Sequence, residues 1–268
     1  MPREYKRLLY ERKGEDGEVL WLTLNNEKMM NSLTDTMQQE LLEVLGEIAF
    51  DNSIRCVVLT GAGDVAFCSG GDIRLFQQLD NVTGYDFMYE RGNSIQRLLT
   101  YMEKPVIAAV NGLCYAGGLE LAMCCDFIYA VESASFGLLE IGLGLLPGWG
   151  GTVRLPRWIP ANRAKEMIYK GEIIGAAEAY QWGLVNKLLP DVTALLAAVE
   201  ETVSTIMAKP PLAVRAAKNV INNSLTCDSI EAAQAIERGS IMWLTSSEDQ
   251  KEGVAAFIEK RKGEFKGR

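Results

Sequence analysis

Three short, uninterrupted apolar runs do most to limit what this chain can fold into: IRCVVLT (54–60), PVIAAV (105–110) and FIYAV (127–131). Each is too short to be a core helix and reads as a buried strand. The segments between them are helical. From Thr34 to Phe50, Met37, Leu41, Val44, Leu45 and Ile48 recur on one helical face, and Asp51-Asn52-Ser53 ends the run. A second helix is expected over Tyr85–Met102, and a short one from about Leu119 to Cys124. Strand and helix thus alternate at α/β spacing. Ahead of them, EVLWLTL (18–24) follows the turn signal Asp16-Gly17 and predicts a hairpin with the segment Leu8–Arg12.

Beyond about residue 162 the pattern turns helical. Arg163–Tyr169, Ala176–Trp182, Ala194–Ala208 and Pro211–Asn223 read as helices, with Lys209-Pro210-Pro211 as a break. Cap signals at Asp228-x-x-Glu231 and Ser247-x-x-Gln250 open the last two. The tail is expected to end as an amphipathic helix. It carries six basic and three acidic residues between Lys251 and Arg268, a local excess of cations in a chain of net charge −8. Either a solvated face or a nearby anionic ligand accounts for that excess.

The chain has no histidine among its 268 residues. Ser-His-Asp triads, Cys-His pairs and HExxH zinc sites are excluded, so proton transfer falls to carboxylates, lysines, tyrosines or thiols. The acidic balance argues against a nucleic-acid or anionic-membrane surface. The start, MPREYKRLLYERK, is charged and lacks an apolar signal core, and the longest uncharged stretch, Pro105–Leu119, is too short to span a bilayer; a cytoplasmic protein is expected. The six cysteines show no CxxC spacing and read as reduced packing thiols, with no metal site.

Nine of the 25 glycines fall within residues 112–151. Backbone there is sharply bent or brought close to something. Two glutamates share the region, Glu120 just after a Gly-Gly pair and Glu140 in an apolar loop. Singly, each reads as a helix-start or solvated charge; together they are the best acid/base pair in a chain without imidazole. A second glycine cluster, GAGDVAFCSGGDI (61–73), contains Gly61-x-Gly63-x-x-Ala66, an imitation of a dinucleotide fingerprint. Phe67 and another turn stand where the helix should open, so it is read as a decoy. There is no GxxxxGK[ST] motif. Free amides near Gly71 could instead face a ligand.

FCSGGDI (67–73), NGLCYAGGLELAMCCD (111–126), FGLLEIGLGLLPGWGGTVRLPR (136–157) and SEDQKEGVAAFIEKRKGEF (247–265) resemble the crotonase, or enoyl-CoA hydratase/isomerase, superfamily, over nearly the whole chain and in the family's order. The resemblance implies an α/β (α+β) fold: a spiral of ββα repeats over residues 1–195, carrying an acyl-CoA site, and a helical oligomerisation region over 196–268. Trimers, or dimers of trimers, are implied. It also implies Glu120 and Glu140 as the acids, and the amides of Gly71 and Gly117 as an oxyanion hole. No cofactor is implied beyond the CoA of the substrate. By family position Lys28, Met30, Ala66, Gly71, Asp72, Ile73, Arg74 and Gly117, with Phe257 and Lys260 of the C-terminal helix, would contact that substrate. Two departures bear on the size and shape of the acyl group. Leu138-Leu139 replaces a more polar or Pro-containing pair before Glu140, and Met29-Met30 is bulkier than usual. Trp149 fits either pocket wall or plain packing.

The expected activity is hydration of an enoyl-CoA thioester. A Δ3,Δ2-enoyl-CoA isomerase or a cyclic dienoyl-CoA hydratase would use the same enolate, but both glutamates favour hydration. A non-catalytic acyl-CoA-binding relative is opposed by the intact acid pair, and an RNA-binding one by the acidic composition.

Overall fold

The computed structural model describes residues 4–76, 83–84 and 90–268. Strands β1 (Leu8–Lys13) and β2 (Val19–Leu24) form the expected antiparallel hairpin. β2 then continues in parallel with β3 (Cys56–Gly61), β5 (Val106–Val110), β7 (Phe127–Val131) and β10 (Lys187–Leu189), giving one six-stranded sheet in the order β1-β2-β3-β5-β7-β10. The apolar runs lie in its middle, where both faces are covered: Val57, Val58, Leu59, Ile107 and Ala108 have no exposed surface.

Each of three central strands feeds a short second strand: β3 leads to β4 (Ala66–Cys68), β5 to β6 (Leu113–Tyr115), and β7 to β8 (Ser135–Gly137). These pair in parallel, and β9 (Ile173–Gly175) closes the second sheet antiparallel to β8. The chain therefore steps from one sheet to the other and returns through a helix, which is the ββα spiral implied by the resemblance. The second sheet leaves no pattern in the sequence, because three-residue strands are too short to show a period of two.

Helix α1 (Asp35–Ala49) starts at Thr34, whose side chain accepts from the Met37 amide, and buries Met37, Leu41, Val44, Leu45 and Ile48. The helix expected over Tyr85–Met102 is described from Gly92 to Tyr101 (α2); residues 85–89 lie outside the described residues. Helix α3 spans Gly117–Ala122, two residues earlier than expected, so that it begins on Gly117 itself. Helices α4 (Gly151–Trp158), α5 (Ala161–Lys170) and α6 (Ala176–Trp182) follow, then α7 (Val192–Met207) and α8 (Pro211–Ser224).

The last two helices correct the sequence reading in two places. Helix α9 (Ile230–Leu244) is capped by Ser229, which accepts from Ala232 N, and not by Asp228; two capping residues stand side by side and the extended backbone falls on the second. Helix α10 (Glu248–Glu259) is capped by Ser247 as expected, but it stops at Lys260, a left-handed residue (φ 55°), and the chain folds back. The buried Asp249 carboxylate accepts from the amides of Lys266 and Gly267, and the Arg268 carbonyl accepts from Glu248 N. The tail is thus tied to the helix start that it follows. Arg261 bridges Glu252 and Glu259, so part of the tail's basic excess is matched within it.

Candidate active site

Two glycine turns, one after β4 and one after β6, meet at the ends of their strands. Gly70 has φ 100°, a conformation that suits glycine, and a side chain there would meet the Ala116 Cβ at 2.8 Å and the Gly117 nitrogen at 3.2 Å. A Cβ on Gly117 would lie 3.6 Å from the Gly71 nitrogen. The amides of Gly71 and Gly117 therefore sit side by side. Neither donates a hydrogen bond among the described residues, and Gly117 is the first residue of α3, whose amide has no intrahelical acceptor. Ala116 enters that helix at φ 48°, ψ −127°, a strained setting for a residue with a Cβ, at a cost of about 1–3 kcal/mol.

One turn of α3 carries Glu120 onto the face of Gly117. It is 2% exposed, and its Oε1 accepts from the backbone amides of Trp149 (2.8 Å) and Gly151 (2.7 Å). Burial, reinforced by the charge of Glu140, pushes the carboxyl up to about 8, against the smaller opposite pull of those two amides. Glu140 opens a short 3-10 turn (Glu140–Leu143). Its carboxyl is also raised by burial, and its Oε2 is buried with no partner among the described residues. The backbone amides of Glu140 itself and of Leu139 pull the other way, by less. Two carboxyls of raised proton affinity that sense one another hold a proton near neutral pH, which is the requirement for acid/base work.

The hold on Glu120 is the feature that the motif reading missed. Gly151 is needed because a Cβ there would stand 2.9 Å from Glu120 Oε1 and 2.7 Å from Pro147 Cβ. Trp149 is 4% exposed, and its indole lies against Gly92 at the start of α2. Its backbone amide is what serves the acid. The GWGG run is the only trace of this in the sequence.

The loop 26–34 straps the first turn in place: Ser69 N donates to Met30 O (2.9 Å) and Leu33 N to Gly70 O (2.8 Å). Met30 is half-exposed in a left-handed conformation beside that turn, and Lys28 is exposed. Ala66 is buried in β4. Asp72 and Arg74 form a two-point ion pair, 2.9 and 2.8 Å, which keeps the Asp72 carboxyl low; Ile73 between them is exposed. Phe257 lies in the last turn of α10 and Lys260 ends that helix. Phe257 is 85% exposed. Among the described residues no group of three or more Cys, Asp or Glu is arranged to hold a metal.

The sequence profile of the enoyl-CoA hydratase/isomerase family matches residues 14–268. The crotonyl-CoA hydratase of Syntrophomonas wolfei subsp. wolfei is 40% identical over 261 residues, covering 97% of this chain and 98% of that protein. The short-chain-enoyl-CoA hydratase of Clostridium acetobutylicum is 41% identical over 255 residues, covering 95% and 97%. Among solved structures, the enoyl-CoA hydratase of Bacillus anthracis superposes with a TM-score of 0.93 at 36% identity, covering 98% of this chain and 100% of that one.

Proposed function

The chain belongs to the enoyl-CoA hydratase/isomerase family, and from that premise we propose that it is a hydro-lyase adding water reversibly across the α,β double bond of an enoyl-CoA thioester. One observation supports the reading: two neighbouring amides, Gly71 and Gly117, without an acceptor among the described residues, with Glu120 one helical turn beyond Gly117 and raised in proton affinity by burial and by the charge of Glu140. The thioester carbonyl oxygen seats between the amides, which stabilise the negative charge gathering there as the enolate forms. At the β-carbon a C–O bond forms as water gives its proton to one carboxylate. At the α-carbon a C–H bond forms as the other carboxyl gives its proton up, and the double bond becomes single. The Glu120–Glu140 pair is returned to one proton in total, so the steps balance with no cofactor beyond the CoA of the substrate.

The CoA portion runs over the loop 26–34 and the turn 66–74, along Lys28, Met30, Ala66, Asp72, Ile73 and Arg74. Phe257 and Lys260, at the end of α10, complete the contacts to the CoA. The exposed Ile230, Ile241, Met242 and Trp243 of α9 supply apolar surface for a trimer or a dimer of trimers.

The test is a panel of purified enoyl-CoA thioesters, linear and cyclic, beginning with crotonyl-CoA. Loss of the conjugated-enoyl absorbance with formation of the 3-hydroxyacyl product is expected. Double-bond migration without hydration would replace this reading by an isomerase. Tight CoA-thioester binding with neither reaction would replace it by a non-catalytic binder.

A further inference from the structure

We propose that Asn31 and Asn111 are positioning residues that together set the separation and aim of the Gly71 and Gly117 amides, an inference that rests on the hydratase reading of that site. Both side chains are fully buried. They come from distant parts of the chain and converge on one backbone carbonyl, that of Ala66: Asn31 Nδ2 donates to it at 2.8 Å, and Asn111 Nδ2, with two hydrogens for three carbonyls, reaches it at 3.3 Å as the longest, shared contact.

Each asparagine uses both ends of its amide. Asn31 Nδ2 also donates to Ala62 O (3.0 Å), and its Oδ1 accepts from Asn26 N (2.9 Å). Asn111 Nδ2 also donates to Gly61 O (3.0 Å) and Gly63 O (2.8 Å), and its Oδ1 accepts from Gly61 N (3.2 Å). The crossing from β3 to β4 is thereby tied from two sides. Aspartate would set a carboxylate against carbonyl oxygens, and serine cannot span the same acceptors. Asn31 itself sits at φ 53°, a left-handed setting that asparagine tolerates better than most residues.

What is tied leads directly to the two amides. Asn31 follows Met30 and precedes Leu33 by two residues, and those neighbours hold Ser69 N and Gly70 O. Asn111 joins β5 to β6, and β6 ends on the Tyr115–Ala116 backbone that packs against Gly70 and presents Gly117. One asparagine therefore indexes the first amide and the other indexes the second, and Ala66 O is their common reference. Neither touches a reacting atom, so their loss degrades the aim of the donors more than the binding of CoA.

The experiment compares wild type with Asn111→Leu and with the milder Asn31→Ser. It measures kcat and KM on crotonyl-CoA, and the carbonyl stretch of a bound, isotope-labelled unsaturated acyl-CoA by difference infrared spectroscopy. In the wild type the stretch moves to lower frequency as two amides polarise the carbonyl. The variants are expected to lose roughly half or more of that displacement and about tenfold or more in kcat, with KM within about threefold. A merely structural role would lower the folded fraction and leave the displacement per bound ligand unchanged. If Asn111→Leu does not fold, Asn31→Ser decides. A folded variant that keeps the wild-type displacement and a kcat within twofold overturns the inference alone. A wild-type protein with neither displacement nor hydration overturns the reading of the site, and this inference with it.

Discussion

Replacing Glu120 by glutamine should stabilise the protein while it removes activity, and the gain should depend on pH. Glutamine keeps an oxygen for the Trp149 and Gly151 amides and cannot ionise. In the wild type the unfolded carboxyl titrates at 4.5 and the folded one at about 8, raised mainly by burial. Below 4.5 both states hold the proton and the acid costs nothing. Between 4.5 and 8 the unfolded chain releases a proton that the folded chain keeps, so stability falls as pH rises. Above 8 the folded site is ionised as well and the whole penalty stands. At about 1.4 kcal/mol per tenfold step in proton affinity, the acid costs about 3 kcal/mol at pH 7 and about 5 kcal/mol at pH 9. Urea unfolding of wild type and Glu120→Gln from pH 5 to pH 9 measures the difference, at one protein concentration and with the assembly state checked by light scattering. The variant should be nearly level with wild type at pH 5 and clearly more stable at pH 9. A stability difference that is constant across this range, or that shrinks as pH rises, would refute the reasoning.

Glu120→Gln and Glu140→Gln should each lower turnover by roughly a hundredfold or more with little change in thioester binding, and the double variant should be scarcely worse than the poorer single one. If Glu120→Gln hydrates every enoyl-CoA tested at the wild-type rate, the two-carboxyl mechanism is wrong. Gly117→Pro removes one N–H at the first position of α3 and should cost on the order of a hundredfold in turnover; circular dichroism and CoA binding serve as controls, and near wild-type turnover in a folded variant would remove this amide from the mechanism. Gly151→Ala places a methyl 2.9 Å from Glu120 Oε1 and 3.0 Å from Leu138 Cδ1, so it should lose about 1–3 kcal/mol of stability and turnover with it. Unchanged kinetics would show that the acid does not need that close approach. Light scattering should find a trimer or hexamer, and a fully active monomer at micromolar concentration would contradict the use of the α9 face.

The sequence alone carried the central strands and nearly every helix, because burial on both faces writes itself as an unbroken apolar run and burial on one face writes itself as a 3.6-residue period. FIYAV and Ala176–Trp182 matched residue for residue, since turn and cap residues bound them on both sides. The absence of histidine and the placing of Glu120 and Glu140 in glycine-rich frames were likewise legible, as residue type restricts which proton chemistry is open. Tertiary structure decided the rest. The three-residue strands of the second sheet exist because the first sheet aligns them, and no local pattern calls for them. The tail turns back at Lys260 because a buried carboxylate eleven residues earlier, Asp249, gathers the amides of Lys266 and Gly267. The amide contacts that hold Glu120 span 29 and 31 residues of chain, and the side-chain bonds to the Ala66 carbonyl span 35 and 45. Such contacts join backbone groups that every residue possesses, so residue identity does not announce them; only the packing that brings distant backbone together gives a particular N–H or carbonyl its role.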